Sequence, residues 1–585
     1  MANANPSPGA PDWFSEVEPA ETVADASSAP WDSTVDMVVV GYGGAGVAAA
    51  LRGAELGLSV AALDRFNSGG STAMNGGIVY AGGGTVIQRE AGYDDTPEEM
   101  FKYLHMEAQG VVSDATLRRF CEESPALIDW LMHHGVRFDA TTYPHKTSYP
   151  PLKYYLYHSD SSLSGRYSAV SKPAPRGHKV FSSIQNKTAT GFGTALWGPL
   201  RASAERLGVK EYPSSEVRRL IRDRDGRVVG VVALMFAPGS PAAARHARYR
   251  QLSRRLLLAL PPQFPGGKYL WKLGAHYSAK AHELEQRHRV EHRIRARHGV
   301  VLSAGGFVFN RPMVETIAPK YAAGMPLGNP GDDGSGIRLG QTAGGEVDRM
   351  EHLSAWRFVN PPLALARAMI VDRAGARFCD EAWYGSAIAY EMCEHHGGQG
   401  WLVLDRRLYR EAWRNVLRDK LLPFQRDPVI LALLFQRRKA ATLDALADKM
   451  GFDRAIFAET VRRYNAAAAG KEADPFEKSP DDMAAFGAGP YYAIDVSITS
   501  RLFPLTTLTL GGLKVDEESG AVRTNRGVVE GLYAAGRNAV GICSHLYVSG
   551  LSAADCMFSG RRAAAAIAQR RVAPAGQTHK SNAEI

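Results

Sequence analysis

At 585 residues, 45% of them apolar and 22% charged, the chain has the composition of an ordinary globular protein but is too long for one hydrophobic core, so two domains plus inserts are expected. The formal charge of +9 is concentrated between Arg245 and His298, where thirteen Lys and Arg meet only Glu283, Glu285 and Glu291; the basicity belongs to one segment, and no nucleic-acid partner is expected. No apolar run reaches the roughly 18 residues of a bilayer span, and Cys121, Cys379, Cys393, Cys543 and Cys556 show neither a CxxC pair nor a histidine at ligand spacing, so they read as buried thiols in a reducing compartment with no metal.

Residues 1–33 are Ala/Pro/Ser-rich and acidic, without the basic start and apolar stretch of a signal peptide, and read as a flexible or surface-draped arm. From Val35 to Asp64 the pattern is strand, glycine turn, helix, strand. VDMVVV enters Gly41, Tyr42, Gly43, Gly44, Ala45 and Gly46, and SVAALD ends in Asp64. The first glycine makes the tight turn, the second admits a pyrophosphate to the backbone, and the third lets the helix pack on the strand. Asp64 is spaced for a ribose hydroxyl, with Arg65 beside it. Directly after comes a glycine/hydroxyl loop holding Gly70, Ser71, Thr72, Asn75, Gly76 and Gly77. Such a loop can follow a ribityl chain and an isoalloxazine, which favours FAD over NAD.

Asp95-Thr96-Pro97-Glu98-Glu99 is a helix start, and two helices are expected to follow it through Trp130 and Met132. Tyr143, Tyr149, Tyr154, Tyr155 and Tyr157 sit in a proline-broken stretch that is either a packed surface loop or one wall of an apolar cleft. Val217–Val232 reads as a β-hairpin turning at Asp223–Gly226. A basic apolar insert occupies 239–297. Its arginines, leucines, Tyr269 and Trp271 fit a membrane-surface element through residues 245–280, or a helical hairpin packed on its own protein. Deleting Pro241–Lys280 is expected to leave flavin bound. Buried strands ending in small residues recur at VVLSAGGF, with Ala304 and Gly305, and at GLYAAGR, with Gly536 and Arg537. Leu408–Tyr464 has a mostly helical pattern. A turn carrying Tyr547, Ser549 and Gly550 leads through Leu551 and Ser552 into a small-residue helix, and the tail 571–585 is polar and expected to be flexible.

From about Val35 to Ile567 these motifs resemble the flavoprotein family of fumarate reductase and the 3-ketosteroid dehydrogenases. The resemblance implies an α/β fold with an α+β second domain. A Rossmann-like FAD-binding domain (34–309 and 497–570) would be interrupted by a substrate/catalytic domain (310–496), with the hairpin at Val217 near the adenine. Fumarate reductases carry a histidine near the stretch Thr507–Gly512 and an arginine where this chain has Tyr547; neither is present, so a neutral ketone suits the site better than a dicarboxylate. By resemblance, Tyr547 and a backbone N–H near Leu551 would hold a 3-keto oxygen, and Ser549 with Tyr321 would accept the proton. Tyr-x-Ser-Gly looks like the Δ4-(5α)-dehydrogenases. The Δ1-dehydrogenases are the alternative within the family, and a reductase of α,β-unsaturated acids the alternative class. The electron acceptor, a quinone or a redox partner, is open, and the expected location is cytoplasmic with peripheral membrane contact.

Overall fold

The computed structural model describes residues 15–182, 192–237, 239–259, 266–419 and 421–572. Among these a nine-stranded sheet carries the architecture. Its elements, with the helices used below, are β1 (Glu21–Thr22), β2 (Ser33–Val40), α1 (Gly44–Glu55), β3 (Val60–Leu63), β4 (Lys210–Tyr212), β5 (Glu216–Arg222), β6 (Val228–Phe236), α2 (Pro241–Ala259), α3 (Gly267–His288), β7 (Arg289–Leu302), α4 (Gly385–His395), β8 (Ala521–Thr524), β9 (Gly527–Ala534) and α5 (Leu551–Val572). The order is β1-β5-β6-β7-β2-β3-β4, and β9, backed by β8, joins the C-terminal part of β7.

The valine run of β2 is explained by its place. It lies between β7 and β3 in parallel register, with Val38 opposite both Val300 and Ala61, and helices cover the sheet, so neither face needs polar residues. Parallel pairing of Leu302 with Ala534 brings the distant end of the chain into the same sheet. Helix α5 then packs on α1 so closely that a Cβ on Gly560 would lie 2.3 Å from the Ala45 carbonyl oxygen.

Between β7 and β8 the chain builds a second unit. It is organised on a four-stranded antiparallel sheet in the order Met369–Val371, Trp401–Leu404, Tyr491–Asp495, Arg437–Ala440. The helical expectation for 408–464 holds for Arg406–Arg418, Pro423–Leu431, Leu443–Met450 and Arg454–Ala468, but Arg437–Ala440 is an edge strand. Its sequence RRKA carries no apolar alternation, because the charged side chains face solvent and protect the edge.

Of the two readings of the N-terminal arm, the structure shows the surface-draped one from Ser15: β1 pairs in parallel with β5, and Trp31 lies against Gly230. Residues 1–14 lie outside the described residues. The insert ends at His288; Arg289–Arg297 belong to β7, whose first half pairs with β6 and is rich in charged residues, with Ile294 and Ala296 buried. Its helices α2 and α3 form a hairpin in which Leu257 sits against Gly274 and Tyr249 against Tyr277, ring centroids 5.9 Å apart. Leu260 and Phe264 lie outside the described residues, as does the tail beyond Val572. No described helix is long and apolar enough to cross a membrane.

Candidate active site

A half-open groove runs over the carboxyl ends of β2, β3 and β7 and the N-terminus of α1. It is lined by Gly41, Gly43, Gly44, Ala45, Asp64, Arg65, Gly70, Ser71, Thr72, Val217, Ala304, Gly305, Gly536 and Arg537, fourteen of the residues expected to bind the cofactor. The glycines act as the motif requires. Gly41 turns the chain at φ 94°, where a Cβ would come within 2.6 Å of the Ser303 carbonyl oxygen. A Cβ on Gly46 would sit 1.9 Å from the Gly41 oxygen, so this glycine serves strand–helix contact and stays out of the groove. At Gly43 the nearest atoms to such a Cβ are 3.9 and 4.0 Å away, which leaves the cradle over the helix N-terminus open to a phosphate.

Asp64 accepts N–H bonds from Tyr42, Phe66 and Ser68 at 2.9, 2.9 and 3.1 Å. Burial pushes its carboxyl up, against the pull of those same bonds. Ser71 donates to Asp332 at 2.5 Å, and Arg537 reaches the same carboxylate at 3.1 Å; Asp332 also lines the groove and was not legible in the sequence. Thr72 Oγ1 accepts the Gly44 N–H at 3.0 Å. Asn75, Gly76 and Gly77 lie outside the groove lining. Asn75 Oδ1 accepts the Gly77 N–H, and Gly76 rests on the Tyr149 ring, whose hydroxyl donates to the Gly76 oxygen at 2.8 Å. Open cradle, helix N-terminus and buried acid at the end of β3 together fit FAD.

The Tyr547–Ser549 turn closes the space between the two units. Tyr547 is buried in an aromatic cage: Trp356 stacks on it at 5.0 Å and 21°, and Tyr384, Leu508 and Leu510 complete the cluster with Phe358. Burial pushes its phenol up to about 12, although the Gly550 N–H donates to the hydroxyl at 3.4 Å. The Tyr547 backbone oxygen is fixed by the Ser386 hydroxyl from the first turn of α4. Ser549 Oγ lies 3.0 Å from the Tyr157 hydroxyl, and the Tyr384 ring lies beside that of Tyr547, centroids 6.5 Å apart. Burial raises Tyr157 and Tyr384 well above the ordinary range.

Two expected contacts are not formed in this structure. Tyr321 does not pair with Ser549: its hydroxyl donates to Glu394 at 2.8 Å, near the C-terminal end of α4, whereas Tyr384 caps the N-terminus of the same helix. Ten residues of helix put about 15 Å between those positions. The Leu551 N–H is engaged with the Val548 oxygen at 3.1 Å, so it closes the turn and is not free for a ketone; Ser552, next to it in α5, lies outside the groove lining. Tyr157 came from the tyrosine-rich stretch left open between packing and cleft wall. Tyr384, Trp356 and Phe358 had no local signal. Among the described residues no cluster could hold a metal ion, and four cysteines are buried, Cys556 only partly, on the groove wall.

The FAD binding domain family matches residues 36–550. The chain is 36% identical over 533 residues to a 3-oxo-5-alpha-steroid 4-dehydrogenase of Comamonas testosteroni, covering 89% of this chain and 96% of the relative. It is 27% identical over 594 residues to a 3-oxosteroid 1-dehydrogenase of Mycolicibacterium smegmatis, covering 88% and 93%. A crystal structure of 3-ketosteroid-delta4-(5alpha)-dehydrogenase from Rhodococcus jostii RHA1, in complex with 4-androstene-3,17-dione, aligns with a TM-score of 0.77 at 28% identity, covering 94% of this chain and 100% of that one. The chain therefore belongs to the FAD-binding flavoprotein family that contains the 3-oxosteroid dehydrogenases, with FAD as its cofactor.

Proposed function

We propose that the protein dehydrogenates a 3-ketosteroid, forming the double bond between C4 and C5 of a saturated 5α ring. The observation that carries this reading is the buried turn in which a protonated phenol, Tyr547, stands two residues from a hydroxyl, Ser549, already engaged with the Tyr157 phenol. The Comamonas relative is a 3-oxo-5-alpha-steroid 4-dehydrogenase and the Mycolicibacterium one a 3-oxosteroid 1-dehydrogenase.

In this reading Tyr547 donates its O–H to the 3-keto oxygen. The bond strengthens as negative charge grows there, which is what accelerates loss of the α-proton. Ser549 takes the proton from C4 as its own O–H proton passes along the hydrogen bond to Tyr157, which gives up its phenolic proton in turn, so that one proton per turnover leaves to solvent. Because burial raises the Tyr157 phenol, it relays protons and does not stand as a phenolate base. Bound FAD supplies the hydride acceptor, N5, for the hydrogen leaving C5. Trp356, Phe358, Leu508 and Leu510 give the hydrocarbon an apolar wall and exclude water from the carbonyl contact. Incubation of the purified yellow protein with a 5α-3-ketosteroid and an artificial electron acceptor, read by mass spectrometry, is expected to yield the 4-ene-3-ketone. A product desaturated only at C1 would replace this assignment with the Δ1 reading. No steroid product, together with dye-coupled reduction of an unsaturated acid, would replace the reaction class.

The outer face of the α2–α3 hairpin supports a second reading, contact with an anionic membrane surface. Lys268, Tyr269 and Lys272 are exposed there, and Tyr269 is 71% accessible. An aromatic ring between two ammonium groups suits the headgroup layer, from which a lipophilic steroid would be drawn.

A further inference from the structure

The groove has an adenosine end, beyond the acid that β3 delivers for a ribose, where Arg65, Phe66, Glu216 and Val217 form the wall. Two segments peripheral in the sequence converge on it. From the insert, α3 brings Glu285, fully buried, to Arg65 at 2.8 Å; α2 brings Arg250 to the same carboxylate at 2.8 Å and His246 Nε2 at 2.6 Å. Arg65 and Arg250 both lie over the Phe66 ring, 5.3 and 4.8 Å from its centroid. From the N-terminal arm, the Glu16 N–H donates to Glu216 Oε1 at 3.0 Å, while Arg289 pairs with Glu216 Oε2 at 2.6 Å. Ser15, its N–H held by Asp333 at 2.8 Å, lines the groove itself. Burial alone would raise the Glu285 carboxyl. Hydrogen bonds from His246 and His282 and the charges of Arg65 and Arg250 overcome that and hold it ionised. Removing such a carboxylate would cost Arg65 and Arg250 the counter-charge they share, so the insert and the groove wall are tied into one unit.

We propose that the α2–α3 insert is a clamp on the adenosine half of bound FAD, with Glu285 and Arg250 as positioning residues that hold Arg65 and Phe66 against it. This revises the expectation that the insert can be deleted with flavin left bound. It rests on the groove alone and stands apart from the steroid reading. The test is the rate of FAD release from diluted holoenzyme, followed by flavin fluorescence, for Glu285→Gln and Arg250→Met, with the visible absorption bands of the bound flavin recorded alongside. At least tenfold faster release with unchanged bands is expected, because the isoalloxazine lies at the other end of the groove. Arg250→Met leaves Glu285 paired with Arg65 and His246 and serves where Glu285→Gln does not accumulate as folded protein. Release within twofold of wild type in the folded variants would overturn the proposal. So would faster release with altered flavin bands, since that marks general loosening of the site.

Discussion

The proposed mechanism needs Tyr547 as a donor, and its surroundings suit that role: with the phenol pushed up to about 12, almost no phenolate forms near neutrality. Tyr547→Phe keeps the ring stacked on Trp356 and removes only the O–H. Its turnover of a 5α-3-ketosteroid is expected to fall about 10²–10³-fold, roughly 3 to 4 kcal/mol of transition-state stabilisation, with the flavin spectrum unchanged. Steady-state assay of the variant checks this, and a loss under tenfold would remove Tyr547 from the donor role. The same residue marks how far the sequence could be read. Tyr547 and Ser549 are neighbours on one turn, so their pairing was legible. Tyr157 meets Ser549 across 392 residues, and Tyr384 arrives on a helix of another unit, where no spacing rule applies. Tyr321 had the right chemistry, but nothing local could tell which end of α4 it would face.

Elements assembled from contiguous residues were legible because their physics is local. The β2–α1–β3 unit is one: apolar strand, three placed glycines, helix and terminal acid all fall within about thirty residues. The contact of α1 with α5 is not local, since it depends on two small residues from opposite ends of the chain. Gly560 is the close-approach point, and Gly560→Val would drive its side chain into the Ala45 backbone. Overpacking of this kind costs about 1–3 kcal/mol. Because Ala45 also lines the cofactor groove, the variant is expected to melt at a lower temperature and to bind FAD more weakly, measured by thermal denaturation and by flavin content after gel filtration. An unchanged melting temperature would mean that the helices can separate without cost. The π-helical turn Ala432–Gln436 has no such account.

At the scale of the whole molecule, the uneven charge has two destinations that the sequence could not separate. Arg250 of the insert and Arg289 at the start of β7 are used within the protein, on Glu285 and Glu216. Lys268 and Lys272 remain outside on either side of exposed Tyr269, and Arg245, Arg248, Arg255 and Lys280 are exposed on the same hairpin. The double variant Lys268→Glu/Lys272→Glu is therefore expected to lose sedimentation with anionic liposomes while retaining FAD, and the wild-type interaction should weaken as salt rises. Equal sedimentation of both proteins would sink the membrane reading without touching the clamp.

The parallel pairing of β9 with β7 sets an order of events at the ribosome. The strand that completes the sheet beside Val300–Leu302 begins at Gly527, so roughly 225 residues separate the two partners. At about 5–20 residues per second, ~10–45 s pass between synthesis of β7 and its last neighbour. Throughout that interval the end of β7 shows unpaired peptide groups, and α1 lacks the helix that will cover it. The newborn cofactor fold is thus most exposed to aggregation in the middle of its own translation, and it becomes whole only when α5 has emerged.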